Sequence, residues 1–343
     1  MKALRWHGNR DIRYEDVPEP EPGAGQVKIK INLAGICGTD LREYVDGPVM
    51  MAVDKAPLTL GHEFAGKVVA LGKDVDSFRI GDRVTGLGEW YCGYCHYCKK
   101  GMYNLCLNGP FTGLMEAGCM AEYMVAPANT LYKLPDGVTD EEGALVEPLS
   151  VAVHAARLGR IQMGDRVAVV GDGTIGLSAI MAARAAGASE VYLVAKYKKR
   201  GNKAMSIGAT KVIYPADGDA AAQIAALTDG LGVDVAIECV GRPETPQLTV
   251  SLVRRNGIAV LVGVFGQAST FNFGSLVFNQ ITVVGSPIYV DEARAVLALM
   301  ADKRIDARGL ITATVPFKDS VPMGFDKLIA SKEDNVKILL KIH

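Results

Sequence analysis

The chain has no surplus of either charge: 37 lysines and arginines stand against 38 aspartates and glutamates in 343 residues, a formal net charge of -1. That balance leaves no electrostatic footprint for nucleic acid or an anionic membrane, and neither is expected as a partner. No uninterrupted apolar run approaches the length of a membrane span. The opening residues, MKALRWHGNRD, contain no apolar core of signal-peptide length. The expected compartment is therefore the cytoplasm, where the seven cysteines point to metal or catalysis before disulfides. Repeats and low-complexity linkers are missing as well. What remains is the composition of an ordinary globular protein, 49% hydrophobic and 22% charged, on a chain long enough for two domains.

The first ~145 residues read as short β-type runs broken by glycine and proline, among them VKIKINLAGI at 27–36, EFAGKVVALG at 63–72 and AEYMVAP at 121–127. This is the pattern of a small, mostly β domain of barrel-like character. Near residue 148 the texture changes. VAVHAARLG reads as a helix, RVAVVG at 166–171 as a buried strand, and LSAIMAARAAG as a second helix. VYLVA, KVIY, VDVAIECVG, IAVLVGV and ITVVGS then recur as apolar strands with mostly helical spacers. Such alternation predicts a parallel sheet covered on both faces. A helix over DEARAVLALMADKRI and a final strand, VKILLKI, are expected to pack back on the first domain.

VVGDGTIG puts Gly171, Gly173 and Gly176 in G-x-G-x-x-G spacing, after a predicted strand and at the start of a predicted helix. That is the setting the motif requires. The first two glycines allow a tight turn and close approach of a pyrophosphate, and the third lets helix and sheet pack closely. With Thr174 and Ile175 opening the helix, free N–H groups and the positive dipole end meet the anion. A glycine-rich turn without function is the competing reading. Val240 and Gly263, at the ends of later strands, complete the candidate cofactor contacts. A dinucleotide site also calls for an acid about 20 residues further on, where it binds the ribose hydroxyls and selects NAD. That place falls near Ala195, and Lys196, Lys198, Lys199 and Arg200 follow it. An alanine beside basic residues makes room for a 2′-phosphate and neutralises it, so NADP(H) is the expected cofactor. The alternative is a solvated helix start, although cations there oppose the helix dipole.

Cys92, Cys95, Cys98 and Cys106 stand as C-x2-C-x2-C-x7-C. Four clustered thiolates complete the tetrahedral shell of a structural zinc. A bacterial iron–sulfur run has a shorter last gap and ends in Cys-Pro, whereas Leu107 follows Cys106 here. A zinc ribbon for nucleic acid would need a basic balance that the chain lacks. A dispersed second set holds Cys37 in GICGTD, His62 and Glu63 in LGHEFAG, and Glu147 in LVEPLS. One thiolate, one imidazole and one or two carboxylates with an open position make a catalytic zinc shell. Taken singly each residue also has a plain reading in a core or a turn, and spacing alone does not link them.

In combination and order, GICGTD, LGHEFAG, GDRV at 81–84, the four-cysteine run, VEPLSVAVHA and the glycine motif resemble the zinc-dependent medium-chain alcohol dehydrogenases, across essentially the whole chain. DLREYVDGP and VEPLSVAVHA are most similar to the polyol and 2,3-butanediol branch. The resemblance implies an α/β architecture: a GroES-like, mostly-β catalytic domain over 1–147 completed by 287–343, and a Rossmann doubly wound parallel-sheet domain over 148–286. It implies that Cys37, His62 and Glu147 or Glu63 are catalytic zinc ligands. Asp40 would orient the histidine, and Thr39 would take the substrate proton. Cys92, Cys95, Cys98 and Cys106 would hold the structural zinc.

The expected reaction is reversible alcohol–carbonyl redox on a small secondary alcohol, a vicinal diol or polyol of the 2,3-butanediol and acetoin type. A sorbitol- or threonine-type dehydrogenase using NAD(H) and a non-catalytic NADPH-binding protein are the alternatives. Glu147, Tyr44 and SPIY at 286–289 are expected to face substrate. Arg42 stands where many family members carry a proton-relaying histidine, and arginine stays protonated. A homodimer or homotetramer is the assembly the family implies.

Overall fold

The β-branched runs of the N-terminal third become strands in the computed structural model, which describes residues 1–343. They are β1 (Lys2–Gly8), β2 (Asp11–Asp16), β3 (Gln26–Gly35), β4 (Leu58–Thr59), β5 (Glu63–Leu71), β6 (Arg83–Gly86), β7 (Tyr123–Pro127) and β8 (Leu131–Lys133). Interleaved are the helices α1 (Gly38–Asp46), α2 (Asp140–Gly143) and α3 (Val146–Leu158). Strand β3 is the spine. Val27, Ile29 and Ile31 alternate into a core with Leu4, Leu60, Phe64, Val68 and Met120. Its antiparallel register with β5 runs from Val27 opposite Leu71 to Gly35 opposite Glu63. The end of β3, which leads into Cys37, therefore meets the start of β5, which follows His62.

The second half alternates as its apolar runs predict. β9 (Arg166–Val170), β10 (Glu190–Val194), β11 (Lys211–Ile213), β12 (Val233–Glu238), β13 (Val253–Leu261) and β14 (Thr282–Gly285) form one six-stranded sheet. Every pairing in it is parallel, in the order β11-β10-β9-β12-β13-β14. The helices α4 (Thr174–Ala186), α5 (Lys198–Ser206), α6 (Ala220–Leu227), α7 (Thr245–Leu252) and α8 (Phe273–Asn279) come between the strands. Read from the first strand of the sheet, this is the doubly wound order 3-2-1-4-5-6. Its direction reverses between β9 and β12, and ligands of such sheets bind beyond the carboxyl ends of the strands at that reversal.

The chain then adds α9 (Ala293–Ala301), β15 (Ile311–Pro316), α10 (Asp326–Ala330) and β16 (Lys337–Lys341). β16 pairs with β3, Leu339 opposite Gly35, and carries β15 on its other side in the seven-stranded sheet. Two compact units result: Met1–Glu147 with Ala293–Ala301 and Ile311–His343, and Pro148–Glu292 with Asp302–Leu310. The return to the first unit thus begins at 293 rather than 287, and 302–310 stays with the parallel sheet. The reason is local: Glu292 is anchored to α3 of the second unit through His154 and Arg157. No helix is long and apolar enough to cross a membrane.

Candidate active site

Cys37 caps the N-terminus of α1. Its Sγ accepts from the Thr39 N–H at 3.5 Å and donates to Thr39 Oγ1 at 3.7 Å, while its own N–H donates to Asp40 Oδ2 at 2.9 Å. This reciprocal cap fixes the thiol at the end of β3. His62 and Glu63 arrive from the start of β5, and Cys37 Sγ, a His62 nitrogen and a Glu63 oxygen lie within 4.8 Å of one another. Burial alone would lower the His62 imidazole, but the Cys37 thiolate, then Asp40 and Glu147, hold it well above its ordinary value. A thiol and buried carboxylates gathered around one histidine suit a cation. Buried atoms without hydrogen-bond partners point the same way: His62 Nδ1 and Asp40 Oδ1. A sulfur, nitrogen and oxygen donor set suits zinc.

The four-cysteine segment converges as well. All four Sγ atoms lie within 4.8 Å of one another, Cys92 and Cys98 at 4.0 Å. Their backbone serves the sulfurs: the Cys92 N–H donates to Cys106 Sγ at 3.3 Å and the Cys98 N–H to Cys95 Sγ at 3.5 Å. Burial works to raise Cys92, but the N–H groups of Tyr94 and Cys95 hold it at about 6, in thiolate range. The rings of Tyr91 and Tyr103 stack beside the cluster, 4.2 Å apart.

In the second unit, Gly171 adopts φ +114°, and a Cβ on Gly176 would fall 1.8 Å from the Gly171 carbonyl oxygen. Both positions therefore demand glycine. At Gly173 an added Cβ meets nothing in the chain, so that space is left for a ligand. Gly173 caps α4 without a side-chain hydrogen bond, and Thr174 and Ile175 open its first turn, leaving backbone N–H groups for an anion. Together these features fit the pyrophosphate of a dinucleotide.

Comparison with known proteins agrees with this geometry. Residues 23–136 match the alcohol dehydrogenase GroES-like domain and residues 174–302 the zinc-binding dehydrogenase family. The (R,R)-butanediol dehydrogenase of Bacillus subtilis is 39% identical over 99% of each chain. The chain belongs to the zinc-containing medium-chain alcohol dehydrogenases. A sorbitol dehydrogenase of Halalkalibacterium halodurans is 37% identical over 91% of this chain and 92% of its own. The crystal structure of the Bacillus subtilis 2R,3R-butanediol dehydrogenase superposes with a TM-score of 0.93 at 38% identity, covering 100% of this chain and 99% of that one. A zinc-binding dehydrogenase of Sinorhizobium meliloti bound to NADP superposes at 0.92, with 32% identity and 99% of each chain covered.

Of the expected positions of the dehydrogenase, Tyr44 and Arg200 are engaged elsewhere in the chain. Tyr44 does not face substrate. It is buried in the core, its hydroxyl donates to Asp326 Oδ1 at 3.1 Å, and its ring packs edge-on against Phe325. Glu147 is buried and close enough for its charge to raise His62 and Lys337. Cys119 donates its thiol to the Glu63 carbonyl at 3.3 Å. At the end of β10, Ala195 is buried while Lys196 and Lys199 are exposed. Arg200 is not free for a ligand: its guanidinium lies 3.7 Å from Asp172 Oδ1 and over the Tyr197 ring.

Asp172 itself escaped the sequence reading. It stands between the first two glycines, is buried, and accepts from the N–H groups of Lys196 at 2.9 Å and Tyr197 at 2.7 Å. Glu238 escaped as well. Fully buried at the end of β12, it accepts from Val240 N, Gly241 N and Thr245 Oγ1 on one oxygen and Gly263 N on the other. It thereby joins Val240 and Gly263, which lie far apart in the sequence. The signal for both was an acid inside an apolar or glycine-rich run, where an unpaired charge would be too costly.

Proposed function

We propose that this dehydrogenase interconverts a small secondary alcohol, a vicinal diol or polyol of the 2,3-butanediol type, and its ketone with NADP(H). The observation that carries the reading is the convergence of Cys37, His62 and Glu63 beside the Thr39 hydroxyl. The activities of two relatives, a butanediol and a sorbitol dehydrogenase, support the substrate class. Zinc, held by Cys37, His62 and Glu63 or Glu147, supplies Lewis-acid polarisation of the alcohol oxygen when bound. Thr39 takes the proton of the substrate hydroxyl through its Oγ1. Asp40 buttresses the site through the Cys37 N–H and the charge it presents to His62. Arg42 keeps its proton and takes no part in the relay. Gly171, Gly173, Thr174, Ile175 and Gly176 would hold the pyrophosphate of a dinucleotide, with further contacts at Val240 and Gly263, and its nicotinamide would supply hydride acceptance. Cys92, Cys95, Cys98 and Cys106 would hold the structural zinc and so pin their lobe.

NADP(H) is favoured by a buried alanine at the end of β10, by exposed Lys196 and Lys199, and by a relative that holds NADP. Asp172 favours the second reading, NAD(H), because a buried carboxylate in that loop opposes a phosphate. Comparing kcat/KM for NADP+ and NAD+ with 2,3-butanediol decides. A preference for NADP+ that falls about tenfold in K196A/K199A is expected, since two exposed cations are worth about 0.5–1 kcal/mol each. A preference for NAD+, unmoved by the double variant, would make the basic run a solvated helix start.

The protein assembles as a homodimer in this reading. β14 ends its sheet with one edge unpaired, and beside it α8 exposes Phe273, Val277 and Phe278 at 71%, 75% and 87%. An open strand edge next to bare apolar side chains calls for a second copy.

A further inference from the structure

Phe111 takes no part in the chemistry above, yet its ring stands edge-on against that of His62, centroids 5.1 Å apart at 70°. A ligating imidazole is ordinarily turned by a hydrogen bond on its second nitrogen. His62 Nδ1 is buried without a hydrogen-bond partner, so packing has to fix the tilt of the ring. Phe111 is itself held in a short antiparallel ladder. The Trp90 N–H donates to the Pro110 carbonyl at 3.0 Å, the Thr112 N–H donates to the Gly88 carbonyl at 2.8 Å, and Glu89 stands opposite Phe111.

One end of this ladder touches the histidine. A Cβ on Gly88 would fall 2.9 Å from Phe111 Cζ and 3.0 Å from His62 Cβ. The other end is the stem of the four-cysteine lobe, which lies between Trp90 and Pro110 in the chain. There a Cβ on Gly109 would collide with the Trp90 carbonyl oxygen and reach within 3.4 Å of Cys106 Cβ. Past the ladder the chain goes on to clamp the residue before His62. A Cβ on Gly113 would fall 2.6 Å from Gly61 N, and the Cys119 N–H donates to the Gly61 carbonyl at 3.0 Å. Chain that has just left the lobe therefore frames His62.

We propose that Phe111 is a positioning residue that sets the tilt of the His62 ring for the catalytic metal and makes that tilt depend on metal in the four-cysteine lobe. A ladder this short is marginal by itself, and closing the excursion it carries costs chain entropy. A metal held by Cys92, Cys95, Cys98 and Cys106 closes that excursion and keeps the two sides of the ladder together. Without it, residues 110–112 part from 88–90, Phe111 leaves His62, and the histidine loses its tilt. The two metal clusters are then coupled through one aromatic ring.

The inference rests on the zinc reading of the site, not on the substrate or the cofactor. Its test is zinc competition against a chromogenic chelator, with Cys37→Ser and Cys106→Ser, each expected to hold one zinc, assigning the two releases. Phe111→Leu is expected to weaken the catalytic zinc about tenfold, while Phe111→Tyr, which keeps the ring, holds it as the wild type does. Cys106→Ser, which empties the lobe, is expected to weaken the catalytic zinc by a similar factor, and to add little once Phe111 is leucine. Should Cys106→Ser fail to fold, Asn108→Ala removes only the Nδ2–H donor to Cys92 Sγ, and a smaller change of the same sign is expected. Unchanged catalytic zinc in folded Phe111→Leu overturns the proposal. So does a loss on emptying or loosening the lobe that is as large in the Phe111→Leu background as in the wild type. A wild type that holds only the lobe zinc overturns the metal reading and the proposal with it. Zinc affinities as expected without turnover of any diol support the proposal and sink only the substrate reading.

Discussion

A carboxylate between the first two glycines of a dinucleotide loop would repel an approaching phosphate unless something neutralised it, and Asp172 is neutralised three times over. Two N–H groups at the start of the β10–α5 turn and the Arg200 guanidinium converge on it. The acid expected at the end of β10 has in effect been supplied from the end of β9, next door in the sheet. Asp172→Asn keeps an acceptor for the two N–H groups but removes the charge and releases Arg200. We expect kcat/KM for NADP+ to rise several-fold relative to NAD+, read with one alcohol and both cofactors. A fall would mean that Asp172 serves by orienting Arg200. The letters of this site were plain in the sequence; the pairing was not. The rule for the acid counts along the chain, whereas Asp172 meets Lys196 and Tyr197 across two adjacent strands. Lys337 was still less legible. Its ion-pair partner Glu63 belongs to a motif, but a lysine in a C-terminal strand carries no mark of burial until β16 has paired with β3.

Elements meet through buried charge as well as through apolar faces. α3 is tied to the segment that precedes α9 by Glu292, whose side chain is 2% exposed. Oε1 takes His154 Nδ1 at 3.0 Å and Arg157 Nη1 at 2.9 Å, and Oε2 takes the N–H groups of Val290 at 2.6 Å and Asp291 at 3.1 Å. Burial alone would raise this carboxyl, but His154 and the Val290 N–H bring it down to about 2. A folded value below the ordinary ~4.3 of glutamate means that the tie contributes fully above that pH and is lost as pH falls through about 2. Glu292→Gln is therefore expected to lower the urea midpoint at pH 7 by the equivalent of about 1–3 kcal/mol. The gap to wild type should narrow steadily between pH 4 and pH 3. Acid release of zinc affects both proteins and cancels in the difference. A gap that stayed constant with pH would show that the charge of Glu292 is not what matters. At this scale the strands and helices were legible from their periodicity, and the helix at 293–301 falls inside the run expected for it. The point of return was not legible, because it depends on where Glu292 finds His154.

Over the whole molecule, the six-stranded parallel sheet has two ends that are treated differently. β11 is short and bears the exposed Lys211, the kind of edge that discourages pairing. At the other end β14 carries no charged residue, and α8 leaves three large apolar side chains in water beside it. Identical edges brought together by a two-fold axis run antiparallel and would continue the two sheets into one, while the α8 faces cover each other. Nothing in the amino-acid pattern separates such an edge from the buried strands before it, since both read as apolar and β-branched; only the position of β14 in the sheet order exposes it. Val277→Asp combined with Phe278→Asp places two charges where the apolar faces would meet, without touching either zinc cluster or the glycine loop. Sedimentation equilibrium at micromolar concentration is expected to report a dimer or a multiple of it for the wild type, and half that mass for the variant with an unchanged far-UV spectrum. Equal masses for the two would mean that copies associate through another surface, and that the bare face of α8 belongs to a different partner.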